Sequence, residues 1–139
     1  MNSSILIDTG PLVAILSPKD DYHQICIDTL KSLKSPLLTT WPVITETHWL
    51  TRQNSKIVTS LFKMIEGNVI QALDLPSESI PWMKNFLLKY EDIGAQIADV
   101  SLCYFAEAYK IDTIFTLDKR DFSIYRIKNN RYLNIIPKI

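Results

Sequence analysis

Short unbroken apolar runs recur along the chain, and between them the apolar positions switch to helical spacing. Residues 4–8, SILID, form a run too short for a helix and predict a buried strand. Gly10-Pro11 punctuates it, and PLVAILS opens a helix with Pro11 in its first turn. Ser17-Pro18 closes that helix. In DDYHQICIDTLKSLKS, Ile25, Ile27, Leu30 and Leu33 mostly follow a helical repeat up to Pro36. PLLTT predicts a second strand, and WPVITETHWLTRQ a helix with Pro42 at its start. SKIVTSLFKMIEGN predicts a helix with Ile57, Leu61, Met64 and Ile65 on one face and Gly67-Asn68 as its stop. VIQALDL reads as a third strand and PSESIPWMKNFLLKY as a helical segment interrupted by Pro81. DIGAQIADVSLCYFAEAYK predicts a long helix with Ile97, Val100, Phe105 and Ala108 in a broad apolar face. IDTIFTLD is a fourth strand and YLNIIPKI a fifth.

Strands alternating with helices imply right-handed crossovers and a parallel sheet covered by helices on both faces. The apolar strand runs support this, because parallel strands are buried on both sides. The expected architecture is therefore α/β: a central parallel sheet of about five strands between two helical layers. At 139 residues, one domain spanning 1–139 is expected.

Composition changes this picture little, because 47% hydrophobic and 22% charged residues are ordinary for a globular chain. The formal net charge of +0 does not announce a nucleic-acid partner. Its distribution is uneven. Residues 119–139 carry Lys119, Arg120, Arg126, Lys128, Arg131 and Lys138 against Asp121 alone, a local net charge of about +5 on an acidic body. Cys26 and Cys103 lie in helical patterns without metal-site spacing, which predicts buried free thiols in a reducing compartment. The N-terminus lacks a signal-peptide pattern and no apolar stretch reaches bilayer length, so the expected location is the cytoplasm, with no membrane partner.

The candidate chemistry lies at the strand ends. Open parallel sheets place their sites beyond the carboxyl ends of the strands. Asp8 ends the first predicted strand and Asp118 the fourth. Glu46 follows early in the helix after the second strand, and Asp99 lies near the start of the helix feeding the fourth, so both reach the same edge. Four carboxylates in one pocket repel unless protons or a divalent cation offset the charge. All-oxygen donors suit Mg²⁺ or Mn²⁺ rather than zinc, and His23 and His48 have no ligand-spaced partners. Such a pocket equips a protein for phosphodiester hydrolysis. Each residue has a plainer role as well. Asp8 suits a helix cap, Glu46 a first-turn dipole partner, and Asp118 the start of a turn. Asp99, between Ala98 and Val100 in mid-pattern, has the weakest such explanation.

ILIDTGPLVAIL, then VITE, then IADVSLCYFAEAYKIDTIFTLDKRDF resemble the PIN-domain family, in particular its compact VapC-type ribonuclease toxins. The resemblance covers nearly the whole chain and matches the order and spacing of the acidic residues. It implies a Rossmann-like three-layer PIN fold and Mg²⁺- or Mn²⁺-dependent endonuclease cleavage of single-stranded RNA. The family's four acidic positions fall on Asp8, Glu46, Asp99 and Asp118. On this basis Asp8 and Asp99 would be the main metal ligands, with Glu46 and Asp118 acting through water or a second ion. Asp121 matches a further acidic position, either a ligand or a support for the following turn. Thr9 and Thr116 match hydroxyl residues that flank the site, and Thr9 offers an alternative cap for the first helix. The residues after Asp99 are bulkier than is common in the family. A small antitoxin partner and, as in many members, a homodimer are also implied.

RNA would need cations beside the acidic pocket. Lys119 and Arg120 directly follow Asp118, and Arg52 and Lys56 lie after Glu46. Trp41 could stack a base but more commonly such a residue packs in the core, as expected for Trp49 and Trp82. Two other functions stay open: a PIN module that binds RNA or protein with little or no nuclease activity, and a receiver domain with Asp74 as phosphoacceptor. The receiver lacks its early acidic pair here and leaves Glu46 and Asp99 unexplained.

Overall fold

The computed structural model describes residues 2–139. Five strands, β1 (Asn2–Ile7), β2 (Leu37–Thr40), β3 (Gln71–Leu73), β4 (Ile111–Phe115) and β5 (Asn134–Ile136), form one parallel sheet in the order β3-β2-β1-β4-β5. Leu6 of β1 sits opposite Leu38 on one side and Ile114 on the other. Leu6, Ile7, Ile111, Ile114 and Phe115 are fully buried, which is why these strands read as apolar runs.

Seven α-helices join the strands: α1 (Thr9–Leu16), α2 (His23–Ser32), α3 (Trp41–Thr51), α4 (Ser55–Glu66), α5 (Ser79–Lys89), α6 (Ile97–Ala108) and α7 (Lys119–Ile124). α1 packs on α2, α3 and α4, while α5 packs on α6. Right-handed crossovers put α1–α4 on one face of the sheet and α5–α7 on the other. The connection from β3 returns across β2 and β1 to reach β4, so the winding reverses between β1 and β4. A crevice opens at such a reversal, at the carboxyl ends of the strands.

Two expectations are corrected. Pro81 does not interrupt a helix. α5 starts at Ser79, so Pro81 falls in its first turn, where a missing N–H breaks no intrahelical bond. The helix expected from Asp92 begins only at Ile97, because Glu91–Ile93 form a 3-10 turn closed by Gly94 at φ 71°, a left-handed conformation suited to glycine. The structure adds α7, whose six residues are too few to display a helical repeat in sequence.

Candidate active site

The crevice is lined by Asp8, Thr9, Glu46, Asp99, Asp118 and Asp121, so all four sequence-identified acids and the fifth candidate share one cleft. Asp20 and Tyr22 from the α1–α2 loop and Gln96 before α6 also line it, and the sequence reading missed all three. Among the described residues, carboxylate oxygens of Asp99, Asp118 and Asp121 lie within 4.8 Å of one another. This tight trio includes Asp121, while Asp8 acts on Asp99 from the same cleft.

Asp8 joins two roles that looked like alternatives. It is the N-cap of α1, its Oδ1 accepting from the Thr9 N–H (2.8 Å), and it stands in the cleft as well. Its Oδ2 accepts from the Thr116 hydroxyl (2.8 Å), whose oxygen in turn accepts from the Asp118 N–H (3.0 Å). Thr116 thus links the ends of β1 and β4. Thr9 does not cap the helix: its Oγ1 is buried without a hydrogen-bond partner. Asp118 caps α7 through Oδ1, which accepts from the Asp121 N–H (3.0 Å). That bond brings both carboxylates to the same end of a short helix.

Glu46 and Asp99 come from α3 and α6, which meet near the crevice. Thr40, the N-cap of α3, hydrogen-bonds Ser101 of α6 (2.6 Å), and the Ser101 hydroxyl donates to the Ala98 carbonyl (2.7 Å). Glu46 is in the second turn of α3, beyond the reach of a first-turn dipole role. Asp99 is in the first turn of α6, so the dipole does favour its charge, contrary to its mid-pattern position in sequence. Asp99 Oδ2 also accepts from the Tyr125 hydroxyl (3.2 Å), a partner 26 residues away.

Burial dominates the electrostatics. It raises Asp8 from the usual carboxylate value to about 6 despite the two hydrogen bonds, with Glu46 and Asp118 adding repulsion. Burial also raises Asp99 to about 7, reinforced by the charge of Asp8. Asp121 is pushed upward by desolvation and by Asp118 beside it. The cleft therefore concentrates negative charge that the protein itself does not neutralise. A carboxylate-only donor set of this spacing fits a hard divalent cation and gives nothing for zinc to prefer.

Of the cation candidates, Lys119 and Arg120 form the first turn of α7, beside Asp118 and Asp121. Arg52 and Lys56 are not brought to the cleft. Arg52 follows the far end of α3 and lies over the Trp49 ring, 3.5 Å from its centre. Trp41 and Trp49 are 42% and 59% exposed, not core residues. α3 buries Val43, Ile44, Thr47 and Thr51, and both tryptophans fall outside that stripe, Trp49 on the opposite side of the helix. They line an apolar groove that shares Glu46 and Gln96 with the acidic cleft. Trp82 does pack, stacking on Phe86 and donating Nε1 to Glu107. Cys26 and Cys103 are buried free thiols. Asp74 follows the edge strand β3 and does not line the cleft, which removes the basis for the receiver reading. Among the described residues no helix is long and apolar enough to cross a membrane.

No family model matches the chain. In sequence it is 25% identical over 135 residues to Ribonuclease VapC26 of Mycobacterium tuberculosis, spanning 96% of this chain and 100% of that protein. Its fold matches crystal structures at 13% identity. One is M. tuberculosis VapC20, described as a Sarcin-Ricin loop cleaving toxin (TM-score 0.72; 79% of this chain, 86% of the other). Another is VapBC2 from Rickettsia felis bound to a promoter DNA fragment (TM-score 0.68, 13% identity; 96% and 99%). The parallel sheet, the reversal between β1 and β4 and the acidic cleft at that point thus accompany a whole-length similarity to a VapC ribonuclease and a fold shared with VapC structures.

Proposed function

We propose that the chain is a Mg²⁺- or Mn²⁺-dependent endoribonuclease that cuts single-stranded RNA and serves as the toxin of a toxin–antitoxin pair. The observation that carries the reading is the convergence of Asp8, Glu46, Asp99, Asp118 and Asp121 on one cleft at the sheet reversal. Similarity to a VapC ribonuclease and to VapC and VapBC structures supports both the reaction and a small protein antitoxin as partner. A homodimer is part of the same proposal, as is a cytoplasmic location, where RNA and reduced thiols coexist.

Asp8 and Asp99 would hold the ion directly, with Glu46 and Asp118 acting through water or a second ion and Asp121 adding charge from α7. Hydrogen bonds to Asp8 do not prevent ligation, because each carboxylate oxygen has two lone-pair sites. A bound divalent ion supplies water activation at neutral pH and charge stabilisation at the leaving oxygen. Thr116 orients Asp8 and couples it to the Asp118 backbone. Lys119 and Arg120 stand where they can take RNA phosphates, and Trp41, exposed beside Glu46, offers a face on which a base can stack.

The test is cleavage of a labelled single-stranded RNA by purified protein with Mn²⁺, alongside Asp99→Asn. Cleavage by the wild type at a rate at least ~10²-fold above the variant supports the enzyme. Equal background cleavage by both would instead indicate a binding module without nuclease activity.

A further inference from the structure

We propose that Tyr125 is a positioning residue of the acidic centre, its buried hydroxyl holding Asp99 against the carboxylates of α7; this rests on the proposed role of that centre in binding a divalent cation. Tyr125 ends α7 and is 2% exposed. Its ring packs against Phe86, Tyr90 and Phe122, with centroids 5.4, 5.2 and 5.2 Å away. Phenylalanine would serve that packing equally. The hydroxyl is the added feature, and it donates to Asp99 Oδ2 at 3.2 Å. The backbone N–H of the same residue donates to the Asp121 carbonyl at 3.1 Å. α7 therefore meets Asp99 at both ends: Asp118 and Asp121 share the acidic trio with it, and Tyr125 fixes one of its oxygens.

Asp8 is held by Thr9 and Thr116, whereas among the described residues Tyr125 is the hydrogen-bond donor to the Asp99 carboxylate. Without the hydroxyl, the Asp99 side chain is free to rotate away from Asp118 and Asp121 under their repulsion. Partners that orient a ligand from behind typically change metal affinity by ~10–100-fold. The arrangement thus assigns Tyr125 an effect on cation binding separable from its packing.

The experiment measures Mn²⁺ affinity by titration calorimetry, well below the melting temperature, for wild type, Tyr125→Phe, Asp99→Asn and Phe86→Leu. Phe86→Leu loosens the same ring cluster without touching Asp99. Tyr125→Phe is expected to weaken Mn²⁺ binding ~10-fold while its metal-free melting temperature stays near that of the wild type. Phe86→Leu should melt earlier yet bind Mn²⁺ normally. Wild-type affinity in Tyr125→Phe, with binding lost in Asp99→Asn, would overturn the positioning role. Equal weakening in Tyr125→Phe and Phe86→Leu would also overturn it, leaving packing alone. If the wild type itself binds no Mn²⁺, the reading of the centre as a cation site fails, and the proposal with it.

Discussion

Replacing Asp8 with asparagine should stabilise the metal-free protein while removing its response to metal. Ionised Asp8 is a liability when no cation offsets its charge. Burial raises it from 3.8 to about 6, and a shift of that size corresponds to about 3 kcal/mol at a pH above both values. Asparagine removes this charge and keeps the cap, because its Oδ1 still accepts from the Thr9 N–H. It presents an amide to Thr116, however, so the hydroxyl proton that now goes to Asp8 Oδ2 loses its acceptor. That loss costs about 1–2 kcal/mol. The net gain of about 1–2 kcal/mol corresponds to a rise in Tm of roughly 3–8 °C for a chain of this size. The assay is thermal melting at pH 8, in EDTA and in Mn²⁺. At Mn²⁺ a hundredfold above Kd the wild type should gain about 2.7 kcal/mol, and Asp8→Asn should gain far less. A fall in Tm for the variant in EDTA would refute the argument that the buried charge outweighs its hydrogen bonds. An undiminished Mn²⁺ response would refute the ligand role.

Three further outcomes follow from the same geometry. Asp8 and Asp99 are raised in the folded state to about 6 and about 7, so the folded protein binds more protons than the unfolded chain above the ordinary carboxylate value of 3.8. Their contribution to metal-free stability therefore falls as pH rises from about 4 through 7; melting in EDTA should be higher at pH 5.5 than at pH 8, and saturating Mn²⁺ should reduce that difference. Thr116→Val leaves Asp8 Oδ2 and the Asp118 N–H without their shared partner, and chemical denaturation should show a loss of about 1–3 kcal/mol. Charge reversal of both Lys119 and Arg120 should weaken single-stranded RNA binding and flatten its salt dependence, by ~0.7 in log–log slope for each phosphate no longer neutralised, whereas reversal of Arg52 should leave the slope unchanged.

The sheet was legible in the sequence because β1, β2 and β4 are largely covered on both faces, which favours short apolar clusters ended by turn residues over a helical repeat. Asp8 and Asp118 were legible for a related reason: a charge at the end of a buried run is conspicuous, and strand direction assigns it an edge, to which the flanking helices then bring Glu46 and Asp99. Asp8 was harder to assign because cap and site looked exclusive, yet one side chain with two oxygens fills both roles. Tyr125, Asp20 and Gln96 carried no such signal. Their relation to the cleft exists only after α7 folds onto α6 and the α1–α2 loop closes over the edge. The tryptophans misled for a physical reason. α3 buries a narrow stripe of Val43, Ile44, Thr47 and Thr51, in which two threonines take places usually held by apolar residues, and the large rings of Trp41 and Trp49 remain outside. The threonine hydroxyls satisfy themselves on backbone carbonyls one turn back, which a pattern of polar and apolar letters does not show.

A divalent-cation site built from these carboxylates would be visible directly. Its most direct test is diffraction from crystals grown with Mn²⁺, recorded near the manganese absorption edge. The account predicts an anomalous peak in the cleft at ligating distance from oxygens of Asp8 and Asp99, bordered by Asp118 and Asp121. Saturating Mn²⁺ with no peak there, or with a peak only on acids outside the cleft, would contradict it.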